Sequence, residues 1–292
     1  MKKVLLTGAS GFIGSRWLEI DTGSCEIIPC SLQQTPIAAI DFAGIDTIIH
    51  LAGIAHRMEP TPDELYFEVN HVLTIALAKA AQQQGVKHFI FMSTIKVYGE
   101  VAPAQIITVD TPCEPDDAYG RSKWKAEQDL LALQAANFRI AIIRTPIVYG
   151  PRVKGNLHRI MGLAKKRLPL PFANIQNQRS MVFVDNLIAL IQQIVSVQAQ
   201  GIFLPSDQHP ISTTKLVSLI REELGMKPNL FSLPSPARQV LQRLKPALYI
   251  RLFDSLLLDN TSSNERLHFS PPFATEYGIK EMVKSYKLEL SG

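Results

Sequence analysis

The stretch Val4-Leu5-Leu6-Thr7-Gly8-Ala9-Ser10-Gly11-Phe12-Ile13-Gly14 constrains the fold more than any other. A short apolar run ends in three glycines at intervals of three, and a helix-compatible segment follows at once. The pattern reads as strand, tight turn and helix N-terminus. Gly8 permits the turn, Gly11 lets backbone N–H groups approach a pyrophosphate, and Gly14 allows close helix packing. The positive end of the helix dipole then favours the phosphates. A glycine triplet by itself also suits a plain strand-to-helix corner. Its place at the head of a βαβ pattern is what makes it a dinucleotide site.

Apolar runs of strand length recur at Val4–Leu6, Glu26–Cys30, Thr47–Leu51, His88–Met92 and Arg139–Arg144, with helical periodicity over Leu73–Gln84 and Ser122–Ala136. This alternation predicts an α/β fold, a Rossmann-type doubly wound parallel sheet covered on both faces. After about Tyr149 prolines multiply and helical patterns shorten, as in Leu157–Lys166 and Lys215–Leu224, which predicts a smaller α-rich C-terminal substrate-binding region. Met181–Val195 turns apolar and periodic again, Gly201–Leu204 reads as a late strand, and both are assigned back to the first domain. The expected division is therefore 1–150 plus about 181–205 for the dinucleotide domain, and 151–180 with 206–292 for the substrate domain.

Between Cys30 and Thr47 the chain is too short for a full crossover helix. The acidic residue that would end the second strand and accept from a ribose 2′-hydroxyl is replaced by Cys30-Ser31-Leu32, and no arginine there greets a 2′-phosphate. The choice between NAD and NADP stays open. Asp41 is a candidate neighbour of the adenine and equally a solvated turn residue.

Of 292 residues, 46% are hydrophobic and 19% charged, the texture of an ordinary globular protein. The net charge of +4 is dispersed, with local groups at Lys165–Arg167 and from Arg238 to Arg251, and argues against a nucleic-acid partner. The three cysteines have neither CxxC spacing nor an even count, so neither a disulfide framework nor a metal site is expected, and a reducing cytoplasm fits. The N-terminal lysines and apolar run end in glycines too soon for a signal peptide. No stretch approaches the roughly 18 apolar residues of a membrane span. Ala237–Leu258 mixes Arg238, Arg243, Lys245 and Arg251 with apolar residues, but Pro246 interrupts it. It is expected to form a cap helix packed on the substrate domain rather than to lie on a membrane.

Tyr119 and Lys123, in Tyr-Gly-Arg-Ser-Lys, are four residues apart on one helical face, and only this one of the seven tyrosines has a lysine at that spacing. An ammonium beside a phenol stabilises the phenolate and lowers its pKa, which suits Tyr119 to general acid–base work. A solvated Tyr–Lys pair is the bland alternative. Ser93-Thr94, directly after the strand Phe89-Ile90-Phe91-Met92, places a hydroxyl where ligands bind in a doubly wound sheet. Such a hydroxyl can hold a substrate oxygen while the tyrosine moves the proton; a strand-end cap is its other reading.

These motifs, TGASGFIG (7–14), IHLAG (49–53), Asn70 in FEVNHVLT, STIKVYG (93–99), YGRSK (119–123) and RTPIVYGP (144–151), resemble the extended short-chain dehydrogenase/reductase family, also called the NAD-dependent epimerase/dehydratase family. The resemblance covers the first 150 residues tightly. It implies that Thr94, Tyr119 and Lys123 form a catalytic triad. It also implies that Lys123 reaches the nicotinamide ribose and that Ser10, Phe12, Ile13, Leu51, Ala52, Gly53, Asn70 and Pro146 line the cofactor. His50 reads as a packed strand-end histidine, and Asn70 also as a helix cap. In the second half, Asn156, Arg179 and, more weakly, Arg251 resemble the family's contacts to a sugar-nucleotide diphosphate and base.

Dehydratases of the family carry an Asp-Glu pair after the catalytic Thr. Here Ile95-Lys96 follows Thr94, which points away from sugar dehydration. What remains implied is oxidoreduction at C4 of a UDP-sugar, by a 4-epimerase or a 4-keto reductase similar to those of bacterial surface-polysaccharide clusters, in a homodimer built through the helix that follows Tyr119. The alternative from another class is a non-catalytic NAD(P)-binding sensor, which a broken triad would betray; this triad is intact.

Overall fold

The computed structural model describes residues 1–20, 23–54, 61–99 and 105–291. The chain runs β1 (Lys3–Thr7), α1 (Phe12–Glu19), β2 (Glu26–Cys30), β3 (Thr47–His50), α2 (Asp63–Phe67), α3 (Leu73–Gln83), β4 (His88–Thr94), β5 (Ile106–Ile107), α4 (Ala118–Ala132), β6 (Arg139–Thr145) and β7 (Ile147–Tyr149). It continues through α5 (Asn156–Ala164), β8 (Met181–Phe183), α6 (Val184–Val197), β9 (Gly201–Phe203), α7 (Thr213–Glu223), α8 (Ser235–Leu244), α9 (Pro246–Phe253), β10 (Leu257–Leu258), α10 (Thr261–Leu267) and α11 (Thr275–Ser291).

Six strands form one parallel sheet in the order β2-β1-β3-β4-β6-β9. Alternate strand residues feed opposite faces, as a two-residue period requires. Leu6, Ile49, Ile90 and Ile143 join the core under α1 and α6, while Leu5, Ile48, Phe89 and Ile142 join the core under α3 and α4. Burial on both faces explains why these strands read as unbroken apolar runs in the sequence. The chain from Cys30 to Thr47 holds only a 3-10 turn at Ile37–Ala39, so β2 is left as the sheet edge. Its Pro29 is tolerated there because an edge strand has no further ladder to donate to.

The sequence reverses direction across the sheet at β1, with β2 on one side and β3 on the other, and this opens a crevice beyond the strand carboxyl ends. β9 pairs with β6 in the main sheet. One core cluster runs without a break from Val4 and Ile90 through Ile191 to Met161, Ile220, Met282 and Tyr286, so α5, α7 and α11 are packed onto the α1/α6 side of the sheet. Two small parallel ladders, β7 with β8 and β5 with β10, carry the chain between the sheet and this second layer.

The break at Pro246 divides Ala237–Leu258 into α8 and α9. The expected packed cap helix is realised only in α9, through buried Tyr249, for α8 has no buried residue. Among the described residues no helix is long and apolar enough to cross a membrane, and no group of His, Cys, Asp or Glu is placed to hold a metal ion.

Candidate active site

The crevice at the switch point contains a cavity of about 250 Å³, walled by Gly8, Gly11, Phe12, Ile13, Gly14, Leu51, Gly53, Ile54, Met92, Ser93, Tyr119, Lys123, Thr145 and Val148. Gly8 holds φ at +72°, and a Cβ there would come within 2.6 Å of the Ala52 amide nitrogen, so the turn needs glycine for both conformation and space. Gly11 caps α1 with no side-chain capping bond, leaving the first-turn amides to whatever the cavity binds. A carboxylate on this wall would repel phosphates, and the lining contains none. The donor set and the shape fit a dinucleotide.

Tyr119 stands in the first turn of α4, whose start is fixed by Asp117. The Asp117 carboxylate accepts from the Gly120 amide at 2.7 Å and also pairs with the Lys96 ammonium. Lys96 lies two residues beyond Thr94, and its own amide donates to the Thr94 hydroxyl at 3.3 Å. The strand end bearing Thr94 is thus tied to the helix bearing Tyr119, and the Thr94 hydroxyl is near enough to the phenol to favour its ionised form. This is a consequence of Lys96 that its position in the motif did not disclose.

Lys123 lies one turn after Tyr119, 5% exposed. Its ammonium donates to the Met92 carbonyl at 2.9 Å and sits 4.5 Å above the Phe91 ring. Burial lowers its pKa to about 8, with Glu127 pulling the other way. The expectation of a lysine-lowered phenol is not met in this geometry. Lost solvation pushes Tyr119 up to about 12, the Thr94 hydrogen bond opposes it, and Lys123 gives its ammonium to a carbonyl instead.

A second group, absent from the sequence reading, braces this one. Glu127 follows Lys123 on the same face of α4, so the series Tyr119, Lys123, Glu127 at steps of four was the available signal. Its buried carboxylate accepts from the Arg144 guanidinium at 2.7 and 3.0 Å and from the Ser93 hydroxyl, while Arg144 also donates to the Tyr98 hydroxyl at 2.8 Å. Burial pushes Glu127 up and the Arg144 charge pulls it down, leaving it raised. Helix α4, the ends of β4 and β6, and the turn after Thr94 are thereby held in one arrangement.

His50 is fully buried between Thr7 at 2.7 Å and Thr74 at 2.9 Å, and burial lowers it to about 3, which makes it a structural histidine. Asn70 stands behind the cavity wall rather than on it, in a π-helical turn at Glu68–Val72. Its amide clamps Ile54 at 2.8 and 3.0 Å and reaches the Ser122 hydroxyl at 3.1 Å, joining the loop after β3 to α4. Ser10, Ala52, Thr94 and Pro146 also lie outside the lining, whereas Ile54, Met92, Thr145 and Val148 belong to it without having been singled out, and Ser93 rather than Thr94 reaches the wall.

Asn156 opens α5 in an exposed position. Arg179 donates to the Asp254 carbonyl at 2.8 Å and is lowered by burial, with the neighbouring charge of Arg251 adding to the effect. None of these three residues lines the triad's cavity.

Comparison with known proteins agrees with this geometry. The model of the NAD dependent epimerase/dehydratase family matches residues 26–202. The chain is 35% identical to a UDP-glucose 4-epimerase of Vibrio cholerae, covering 98% of this chain and 95% of that one. It is 31% identical to an N-acetyl-alpha-D-glucosaminyl-diphospho-ditrans,octacis-undecaprenol 4-epimerase of Escherichia coli O157:H7, covering 80% and 76%. The crystal structure of a UDP-glucuronic acid 4-epimerase from Bacillus cereus in complex with NAD superposes with a TM-score of 0.77 over 98% of this chain and 99% of that one, at 19% identity. With a glycine cradle, a Thr-Tyr-Lys constellation at the strand ends and a family match over more than half its length, the chain belongs to the NAD dependent epimerase/dehydratase family.

Proposed function

We propose that this protein is a 4-epimerase of a nucleotide-linked sugar, most simply a UDP-sugar, supplying precursors for surface polysaccharide. The observation that carries the reading is Tyr119 and Lys123, one helical turn apart on the wall of the glycine-cradled cavity, with the Thr94 hydroxyl beside the phenol. The first-turn amides of α1 would hold the pyrophosphate, and Lys123 would meet the ribose. A bound nicotinamide dinucleotide supplies the hydride acceptor and donor for the sugar carbon. Thr94 holds the C4 oxygen; Tyr119 takes the hydroxyl proton as the C4–H bond breaks and returns it when that bond is remade on the other face. Lys123 lowers the cost of phenolate once its ammonium is drawn from Met92 towards the cofactor side.

No acid–base pair follows Thr94, and Lys96 is committed to Asp117, so elimination of water lacks its groups. A 4-keto reductase would use the same triad in one direction; the relatives at 35% and 31% identity, both 4-epimerases, favour the epimerase. Arg179 and Arg251, neighbouring cations, would meet the substrate diphosphate. A homodimer through α4 is supported by an open groove of about 660 Å³ between Phe67, His71, Trp124 and Gln128 on that helix face, and sedimentation velocity tests it.

The deciding experiment incubates the purified protein with UDP-glucose, UDP-N-acetylglucosamine, a 4-keto UDP-sugar and a polyprenyl-diphosphate N-acetylglucosamine, each with and without NAD(P)H. Epimer formation without net cofactor consumption establishes the proposal. Stoichiometric oxidation with the keto-sugar alone replaces it with the reductase, and cofactor binding without turnover of any of the four returns the sensor.

A further inference from the structure

Helix α8 presents a contradiction between its pattern and its surroundings. Ala237, Val240, Leu241 and Leu244 follow the spacing of a helix with one apolar face, which in a globular protein faces a core. Yet α8 buries nothing: Leu244 is 74% exposed and Val240 55%. Leu248 and Ile250 of α9, which packs against α8, and Phe231, four residues before α8, are exposed too. Leu168, 64% exposed, lies two residues before Leu170, which pairs with Asn229 and Phe231 through main-chain bonds, and Arg221 spans the Leu168 and Asn229 carbonyls.

The chain segment that forms this surface carries charge of one sign up to Asp254, which ends α9. From 229 to 253 there is no Asp or Glu, while Arg238, Arg243, Lys245 and Arg251 are present, and the exposed run Lys165-Lys166-Arg167 leads into Leu168. Arg238 lies along the α8–α9 seam, donating to the Tyr249 hydroxyl at 3.1 Å and covering the Phe253 ring at 4.8 Å, so the two helices form one braced unit. An apolar stripe bordered by cations matches an anionic membrane surface, where apolar side chains enter the headgroup boundary and cations meet lipid phosphates. A protein partner would have to supply an apolar groove rimmed by acids.

We propose that the α8–α9 unit, with Phe231 and Leu168, docks this protein onto an anionic membrane surface. Docking would set Arg179 and Arg251 at the membrane boundary, since Arg179 is hydrogen-bonded to the Ile250 and Asp254 carbonyls at the end of α9. The inference stands on the exposed stripe and its charge, independently of which sugar is turned over.

The test is flotation of the full chain with vesicles of phosphatidylcholine and with vesicles containing phosphatidylglycerol, at low and high salt. The expected result is partition onto the anionic vesicles that weakens with salt. In Val240→Glu/Leu244→Glu, partition should fall by about a hundredfold, since each lost apolar insertion is worth about a factor of ten. Because both residues are exposed, the variant should keep the parent's thermal midpoint and its NAD(P)H binding, which separates loss of docking from loss of fold. Absence of flotation, partition indifferent to the anionic lipid, or a variant that floats like the parent overturns the proposal. So does a dimer in solution that the same variant dissociates, for the stripe would then be covered by a second copy.

Discussion

Arg144 and Arg221 are both buried arginines, one under the dinucleotide crevice and one in the C-terminal layer, and they are satisfied in different ways. Arg144 meets a carboxylate, Glu127, at 2.7 Å, and through it a helix, two strand ends and the Tyr98 hydroxyl. Arg221 meets no carboxylate; its guanidinium donates to the carbonyls of Ala164, Lys166, Leu168, Pro228 and Asn229. The first arrangement braces regular elements that carry reactive groups. The second gathers loop carbonyls that lack a ladder, and does for irregular chain what a sheet edge or cap would do elsewhere. The crevice side is thus organised around ionisable side chains, and the C-terminal side around backbone satisfaction.

The sharpest way to break this contrast is at the crevice. Tyr119→Phe should lower turnover by about a thousandfold, within the range of a lost general acid–base, with NAD(P)H binding by fluorescence nearly unchanged. Loss of binding with the phenol would mean that Tyr119 holds the cofactor rather than moves a proton.

Next in size is the buried pair. Arg144→Met takes the guanidinium from the buried Glu127 carboxyl and pushes it further up, and should cost about 3 kcal/mol in urea unfolding. Arg144→Met with Glu127→Leu should recover most of that stability, because apolar replacement of both partners removes the desolvation penalty along with the attraction. If activity stays low in the refolded double variant, the pair positions Thr94 and Tyr119 rather than merely stabilising them.

Arg221→Met should cost less, about 2 kcal/mol, since neutral carbonyls are left and some can reach water. Its effect should fall on the loops that hold Lys165–Leu168 and Pro228–Phe231, read by faster amide exchange there, with cofactor affinity unmoved. Exchange spreading equally into β4 and α4 would dissolve the distinction between the two sides.

The two sides were also unequally legible in the sequence. The glycine turn, the strands and the Tyr119–Lys123 spacing rest on local rules, a two-residue or 3.6-residue period and an allowed φ, which a linear sequence displays directly. The shortness of the chain between Cys30 and Thr47 showed that no crossover helix fits there, but the sheet order and the edge position of β2 came only with the fold. The Glu127–Arg144 pair was half visible, for the step of four from Lys123 was there, but its partner lies on another strand, and only folding brings them together. The Lys123 expectation missed because spacing places two side chains on one face and says nothing of what else competes for the ammonium. Met92 does, through a carbonyl that no motif shows. In the C-terminal layer the pattern of α8 was legible, but its exposure was not, since an apolar stripe in sequence does not state what it faces.

The smallest predicted effect concerns acid, and again separates the sides. His50 and His88 lie in the sheet, each 0% exposed, and burial lowers them to about 3 and about 4 from the ordinary 6.5. In the unfolded chain both accept protons below about pH 6.5, whereas the folded chain refuses them until pH approaches the lowered values. Their contribution to stability is therefore complete above about pH 6.5 and is lost as pH falls towards 4, about 1 kcal/mol for each histidine between about pH 7 and pH 5.5. His158, His209 and His268, on the C-terminal side, are exposed. Urea unfolding at the two pH values should show the loss, and His50→Asn, which retains a polar partner for Thr7 or Thr74, should reduce it by about 1 kcal/mol. Amide exchange at the lower pH should open β1, β3 and β4 before α7 and α11. If α7 and α11 open first, or if His50→Asn leaves the pH dependence unchanged, the sheet histidines are not the acid-sensitive element and the contrast between the two sides fails at that point.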